Sequence, residues 1–138
     1  MRLVLDTNII VSGLLSPKGP PGLLLDLWKE DQAFTLISAE PQLDELIRVT
    51  RYPKLRARLA PPLVYDWVVT IRRFGIMQEA LPHVTASTDP DDNVMLAIAQ
   101  AGGADLLVSG DKRDLLALGS HAGTRIVTAR EALERLKV

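Results

Sequence analysis

The residues of this chain that could do chemistry are mostly carboxylates. Asp6 follows directly on the apolar run Leu3-Val4-Leu5, and Asp111 closes Ser109-Gly110-Asp111 just after Ala104-Asp105-Leu106-Leu107-Val108. Asp92 opens the strongly apolar stretch Val94-Met95-Leu96-Ala97-Ile98-Ala99. In an open parallel sheet, residues just beyond the carboxyl ends of neighbouring strands converge on one crevice. If these strands are neighbours, their carboxylates meet and repel, and ionisation is disfavoured unless a cation sits among them. The chain has no cysteine, and its two histidines, His83 and His121, stand in no ligand spacing. An ion would therefore be held by oxygen, which favours Mg²⁺ or Mn²⁺ over zinc.

Each acid also has a plainer use. Asp6 could cap a helix beginning at Thr7-Asn8, and Asp111 could cap one over Lys112–Leu118. Asp89 and Asp92 fit the cap and third positions of a helix start, where negative charge is favoured. A further acid belongs to the helix patterned by Leu43, Leu46, Ile47 and Val49. Glu45 lies at one edge of that apolar stripe and Asp44 at the other, and the pattern does not choose between them.

The elements that must position these acids alternate along the chain. Strand-like runs occur at Leu3–Leu5, Phe34–Ile37, Ala104–Val108 and Arg125–Val127, with Ile76–Leu81 a weaker fifth. Helical spacing recurs in Leu23, Leu24, Leu27 and Trp28, in Leu43, Leu46 and Ile47, and in Val64, Trp67, Val68 and Ile71. Asp89-Pro90 reads as a helix cap and first position, Gly102-Gly103 as a stop, and Thr128-Ala129-Arg130-Glu131 as a capping box. The alternation predicts an α/β fold with a mainly parallel central sheet and helices on both faces. The stretch 39–75 is long for one crossover and predicts a helical protrusion. With no repeat and no linker, residues 1–138 read as a single domain.

Composition sets the bounds. The 138 residues are 47% hydrophobic, enough for a core without disulfides or zinc. No apolar run approaches the roughly 18 residues of a membrane span, and the opening MRLVLD does not read as a signal peptide. A soluble cytoplasmic protein is expected. Net charge is −1, but its distribution is uneven. Residues 46–75 hold seven bases (Arg48, Arg51, Lys54, Arg56, Arg58, Arg72 and Arg73) against the single acid Asp66. Residues 76–111 hold six acids and no Lys or Arg. A cation site beside an anion-binding surface would show this pattern, as would an ordinary solvated helix face.

Four motifs in order resemble those of PIN-domain nucleases. They are Leu5-Asp6-Thr7-Asn8-Ile9, Glu45-Leu46-Ile47-Arg48-Val49 with Tyr52-Pro53-Lys54, Asp89-Pro90-Asp91-Asp92-Asn93, and Leu107-Val108-Ser109-Gly110-Asp111-Lys112. Their spacing matches over about residues 1–128, and the second is similar to that of the PIN-type (VapC-type) toxin branch. The resemblance implies a Rossmann-like PIN fold and cleavage of RNA with Mg²⁺ or Mn²⁺, leaving 5′-phosphate and 3′-hydroxyl ends. It implies a ligand quartet of Asp6, Glu45, Asp92 and Asp111, with Asn8 and Ser109 orienting those carboxylates. It further implies a homodimer blocked by a small antitoxin. Thr88 replaces a basic residue that often precedes the Asp-Pro pair. Lys112-Arg113-Asp114 is one residue longer than the common pattern, which leaves Asp114 outside the implied ligand set. Arg48, Arg51, Lys54, Arg56 and Arg58 are the residues expected to hold RNA.

Other classes fit less well. Phosphatases of the haloacid-dehalogenase type carry Asp-x-Asp after the first strand, and here Asn8 fills the third place. A phospho-receiver needs an adjacent acid pair, which Asp6-Thr7 does not supply. The non-enzymatic alternative is an inactive PIN fold that only binds RNA or protein.

Overall fold

The run Arg2–Leu5 forms β1, and its alternation explains the layers. Leu3 and Leu5 enter one apolar cluster and Val4 enters another, all three fully buried. A strand buried on both faces belongs inside a sheet covered by helices on each side. The computed structural model describes residues 1–111 and 113–136.

After β1 come α1 (Thr7–Leu15), α2 (Pro20–Lys29), β2 (Thr35–Ser38), α3 (Glu40–Thr50) and α4 (Pro53–Arg56). Then follow α5 (Pro61–Phe74), β3 (Ile76–Met77), α6 (Pro90–Gly102), β4 (Leu106–Val108) and α7 (Leu115–Leu118). The chain closes with β5 (Ser120–His121), β6 (Thr124–Val127) and α8 (Ala129–Leu136). The sheet order is β3-β2-β1-β4-β6-β5, parallel throughout except for β5. Helices α1, α2, α3, α5 and α8 pack on one face, against Leu3, Leu5, Leu36, Leu106, Val108 and Val127. Helices α6 and α7 pack on the other, against Val4, Ile37, Leu107 and Ile126. The architecture expected from the alternation is therefore present: α/β, mainly parallel, with helices on both faces.

The edges differ from expectation. β3 stops at Met77 instead of running to Leu81, and the antiparallel β5 has no counterpart among the expected strands. Two-residue strands carry no alternation to read. The β5–β6 turn places Ala122 at φ 48° and Gly123 at φ 86°, the left-handed pair of a tight hairpin. Alanine at the first position hides the usual Asn-Gly signal.

The stretch 39–75 makes three helices. α3 and α5 lay apolar faces on the core, where Trp67 meets Trp28 with ring centroids 6.4 Å apart. The short α4 has no fully buried residue and touches the core through the half-buried Leu55 alone. Helix punctuation follows the sequence closely. Gly103 ends α6 in the left-handed conformation at φ 59°, and Thr128 and Glu131 exchange capping bonds at the start of α8. Among the described residues, no helix is long and apolar enough to cross a membrane.

Candidate active site

Strand order reverses between β1 and β4, which makes the crevice beyond their carboxyl ends a ligand position. The pairing continues one residue past each strand. The Asp6 N–H donates to the Val108 carbonyl at 2.9 Å, and the Ser109 N–H donates to the Val127 carbonyl at 2.9 Å. Asp6 and Ser109 are thereby fixed side by side. The Ser109 hydroxyl donates to Asp6 Oδ2 at 3.0 Å and accepts from the Asp111 N–H at 3.0 Å. Ser109 thus fixes one oxygen of the Asp6 carboxylate.

Asp6 occupies the cap position of α1, yet its side chain makes no capping hydrogen bond. It is 6% exposed. Burial raises its pKa, and the Asp111 charge adds to this. The Ser109 hydroxyl and the nearby N–H groups of Thr7 and Asn8 work in the opposite direction. Asn8 is exposed at the start of α1.

At the start of α6 the two candidate roles are divided between two acids. Asp89 caps the helix, its Oδ1 accepting from the Asp91 N–H at 2.9 Å. Asp92 does not cap. It is 7% exposed, and the Ser87 hydroxyl reaches its Oδ2 at 3.4 Å. Asn93 clamps the preceding loop, accepting from the Ser87 N–H at 2.8 Å and donating to the Ser87 carbonyl at 2.9 Å. Burial, then the charges of Asp89, Asp111 and Asp6, push the Asp92 pKa up to about 7, and its proton can be shared with Asp111.

Asp111 keeps part of its plainer role. Its Oδ1 accepts from the N–H groups of Arg113 at 3.1 Å and Asp114 at 3.3 Å, anchoring the turn before α7. Lys112 lies outside the described residues. That turn brings in an acid left out of the implied quartet. Among the described residues, Asp89, Asp92 and Asp114 offer carboxylate oxygens within 4.8 Å of one another. The extra residue in Lys112-Arg113-Asp114 therefore does not keep Asp114 away from the cluster.

Glu45 reaches the crevice because α3 is tied to the sheet. Buried Gln42 donates from Nε2 to the Leu5 carbonyl at 2.6 Å and accepts from the Ser38 hydroxyl at 2.7 Å. One helical turn later, the half-buried Glu45 side chain lies near Thr7, Asp6 and Asp91, and burial raises its pKa. Asp44 points away and is exposed. Geometry thus makes the choice that the helical pattern left open. Arg48 sits at the rim, 3.8 Å from Glu45 and 3.9 Å from Asp91.

Thr7 is 2% exposed, and its buried hydroxyl lies close enough to Glu45 to favour the charged form, yet completes no hydrogen bond of proper geometry. An unpartnered buried hydroxyl amid carboxylates with raised pKa values fits a crevice suited to positive charge. Its donors are all oxygens, which suits a hard divalent cation. Thr7 and Gln42 escaped the sequence reading, because nothing local distinguishes a buried polar side chain that serves a site from one facing solvent.

The profile of the PIN domain matches residues 2–113. The chain belongs to the PIN-domain family. PIN domains are generally nucleases and typically use divalent metals, which agrees with the acidic crevice. The match spans β1 through the turn that carries Asp111, so all the acids described up to that residue lie within it. The chain is also similar to an uncharacterized protein of Methanocaldococcus jannaschii, 29% identical over 119 residues, covering 86% of this chain and 75% of the relative.

Proposed function

We propose that this PIN domain is a Mg²⁺- or Mn²⁺-dependent endoribonuclease, the toxin component of a cytoplasmic toxin–antitoxin pair. The observation that carries the catalytic part is the convergence of Asp6, Asp92 and Asp111, joined through Asp6 by Glu45, in one mutually repelling cluster. Capping alone gives no reason to bury Asp92 among other acids. One or two hard cations, when bound, would neutralise the scissile phosphate and activate water for in-line attack. Asp6 and Asp92 would hold the cation, with Asp111 and Glu45 completing the ligand set. Asp114 and the Asp89 oxygen not used in the cap lie beside Asp92 and could join them. Ser109 keeps the Asp6 carboxylate aimed into the crevice.

The toxin part rests on the resemblance of the Glu45 and Tyr52-Pro53 motif to that branch, which also supplies the expectation of a homodimer and an antitoxin. The test incubates the protein with single-stranded RNA and Mn²⁺ or Mg²⁺. Cleavage is expected, lost in excess EDTA and lost in Asp6→Asn with the fold intact. Cleavage that persists in EDTA would falsify the metal mechanism. Expression that arrests growth for the wild type but not for Asp6→Asn is the outcome expected of a toxin.

A further inference from the structure

Beside the acidic crevice, the carboxyl-terminal half of α3 opens onto two grooves. The nearer, about 450 Å³, is lined by Asp44, Ile47, Arg48, Arg51 and Tyr52. The farther, about 320 Å³, is lined in part by Ile47, Thr50, Arg51, Val64 and Tyr65. Ile47 and Arg51 wall both, so the two grooves adjoin along α3, and together they make up the trough described below. Arg48 joins its near end to the crevice through Glu45 and Asp91.

The trough has a distinctive chemistry. Two guanidinium groups flank an apolar floor, and two tyrosines stand at its sides, Tyr52 56% exposed and Tyr65 60% exposed. Positive charge that follows a backbone, interleaved with aromatic rings open to stacking, is how proteins hold single-stranded nucleic acid. A duplex offers phosphates but no unstacked bases to such rings. The ion pairs of Arg48 are long and its side chain is largely exposed, so it can exchange carboxylates for phosphate at little desolvation cost. Asp44 is the one acid among these lining residues, and it opposes a phosphate.

We propose that this trough seats the single-stranded RNA flanking the scissile bond, with Arg48 and Arg51 on its phosphates and Tyr52 and Tyr65 stacked on its bases. It rests on the endoribonuclease function proposed above and adds a path and a strand preference. Lys54, Arg56 and Arg58, all exposed, line neither groove, so they make none of the phosphate contacts assigned to the trough.

The experiment measures binding of a short fluorescent single-stranded RNA across a salt series, with Ca²⁺ in place of Mg²⁺ to suppress cleavage. Tyr52→Ala should weaken binding by about tenfold, while Tyr52→Phe, which keeps the ring, binds as the wild type does. Arg51→Ala should lower the slope of log affinity against log salt by about 0.7, Arg56→Ala should leave the slope in place, and Asp44→Asn should tighten binding. A duplex of the same sequence should be indifferent to Tyr52→Ala. Thermal denaturation checks that each of these surface variants stays folded. Absence of wild-type binding, or unchanged affinity and slope in both Tyr52→Ala and Arg51→Ala, overturns the trough as an RNA path and leaves it as a contact for a protein partner. Cleavage by the wild type with Mn²⁺ is followed in parallel. Cleavage with indifferent variants sinks the trough alone, whereas variant-sensitive binding without cleavage sinks the nuclease function and keeps the trough.

Discussion

At Asp92 a proton and a bound cation would compete for the same oxygens. The group titrates near 3.8 when unperturbed and at about 7 in the fold. Between those values the native state binds more protons than the unfolded chain, so stability falls as pH rises. The contribution is fully present below about pH 4 and lost once pH passes about 7. Stabilisation of the native state by Mn²⁺ should run the opposite way, growing as pH rises through that window. Asp92→Asn mimics the neutral carboxyl, so metal-free protein carrying it should melt at or above the wild type at alkaline pH and lose most of the Mn²⁺ response. Thermal denaturation with and without Mn²⁺ at several pH values checks this. If Asp92 were only a helix-start acid, its loss would cost about 0.3–1 kcal/mol with the Mn²⁺ response intact, and that outcome would sink the cluster. Thr7 offers a second residue-level test. Thr7→Val removes the unpartnered buried hydroxyl at almost constant shape, so the metal-free protein should melt no lower than the wild type while its Mn²⁺ stabilisation shrinks. A clear drop in metal-free melting temperature would mean that the hydroxyl already has a partner.

Elements carry the acids, and their attachments decide where the acids point. α3 is held to β1 and β2 through one amide, that of Gln42, between the Leu5 carbonyl and the Ser38 hydroxyl. Gln42→Ala leaves both groups buried and unpaired, which should destabilise the fold by about 1–3 kcal/mol. It should also lower cleavage more than Asp44→Ala, an exposed change on the same helix, because Glu45 loses its registration. Urea midpoints and cleavage rates of the two variants make the comparison. Helix starts and stops were legible along the chain because their causes are local: Asp89, Gly103 and Thr128 act within four residues of themselves. The two-residue strands β3 and β5 were not, since they exist only through pairing with a neighbour.

Over the whole molecule, β1 and β4 lie inside the sheet and β3 and β5 at its edges. Opening free energies should follow that order. Backbone amides of β1 and β4 should exchange slowest, and those of β3 and β5 fastest. Because the acids sit on four separate segments, a bound cation would tie those segments together. Adding Mn²⁺ should therefore slow exchange around residues 6–8, 45–48, 91–93 and 109–111 at once. Slowing confined to the Asp89–Asp92–Asp114 corner would place the cation there instead, without Asp6 and Glu45.

The alternating core of β1, β4 and β6, the helix punctuation, and the motif acids that lead to the PIN family are all legible along the chain. These rest on periodicity and on contacts between near neighbours, which any stretch of chain carries with it. It takes the packed fold to bury Asp6 in the crevice while Asp89 caps its helix, and to turn Glu45 rather than Asp44 inward. The fold also brings Asp114 beside Asp92 and leaves the Thr7 hydroxyl without a partner. Those outcomes depend on the order of strands in the sheet and on which buried surfaces meet. Residues 6, 45, 92 and 111 share one crevice through contacts far apart in the chain, and no local pattern records them.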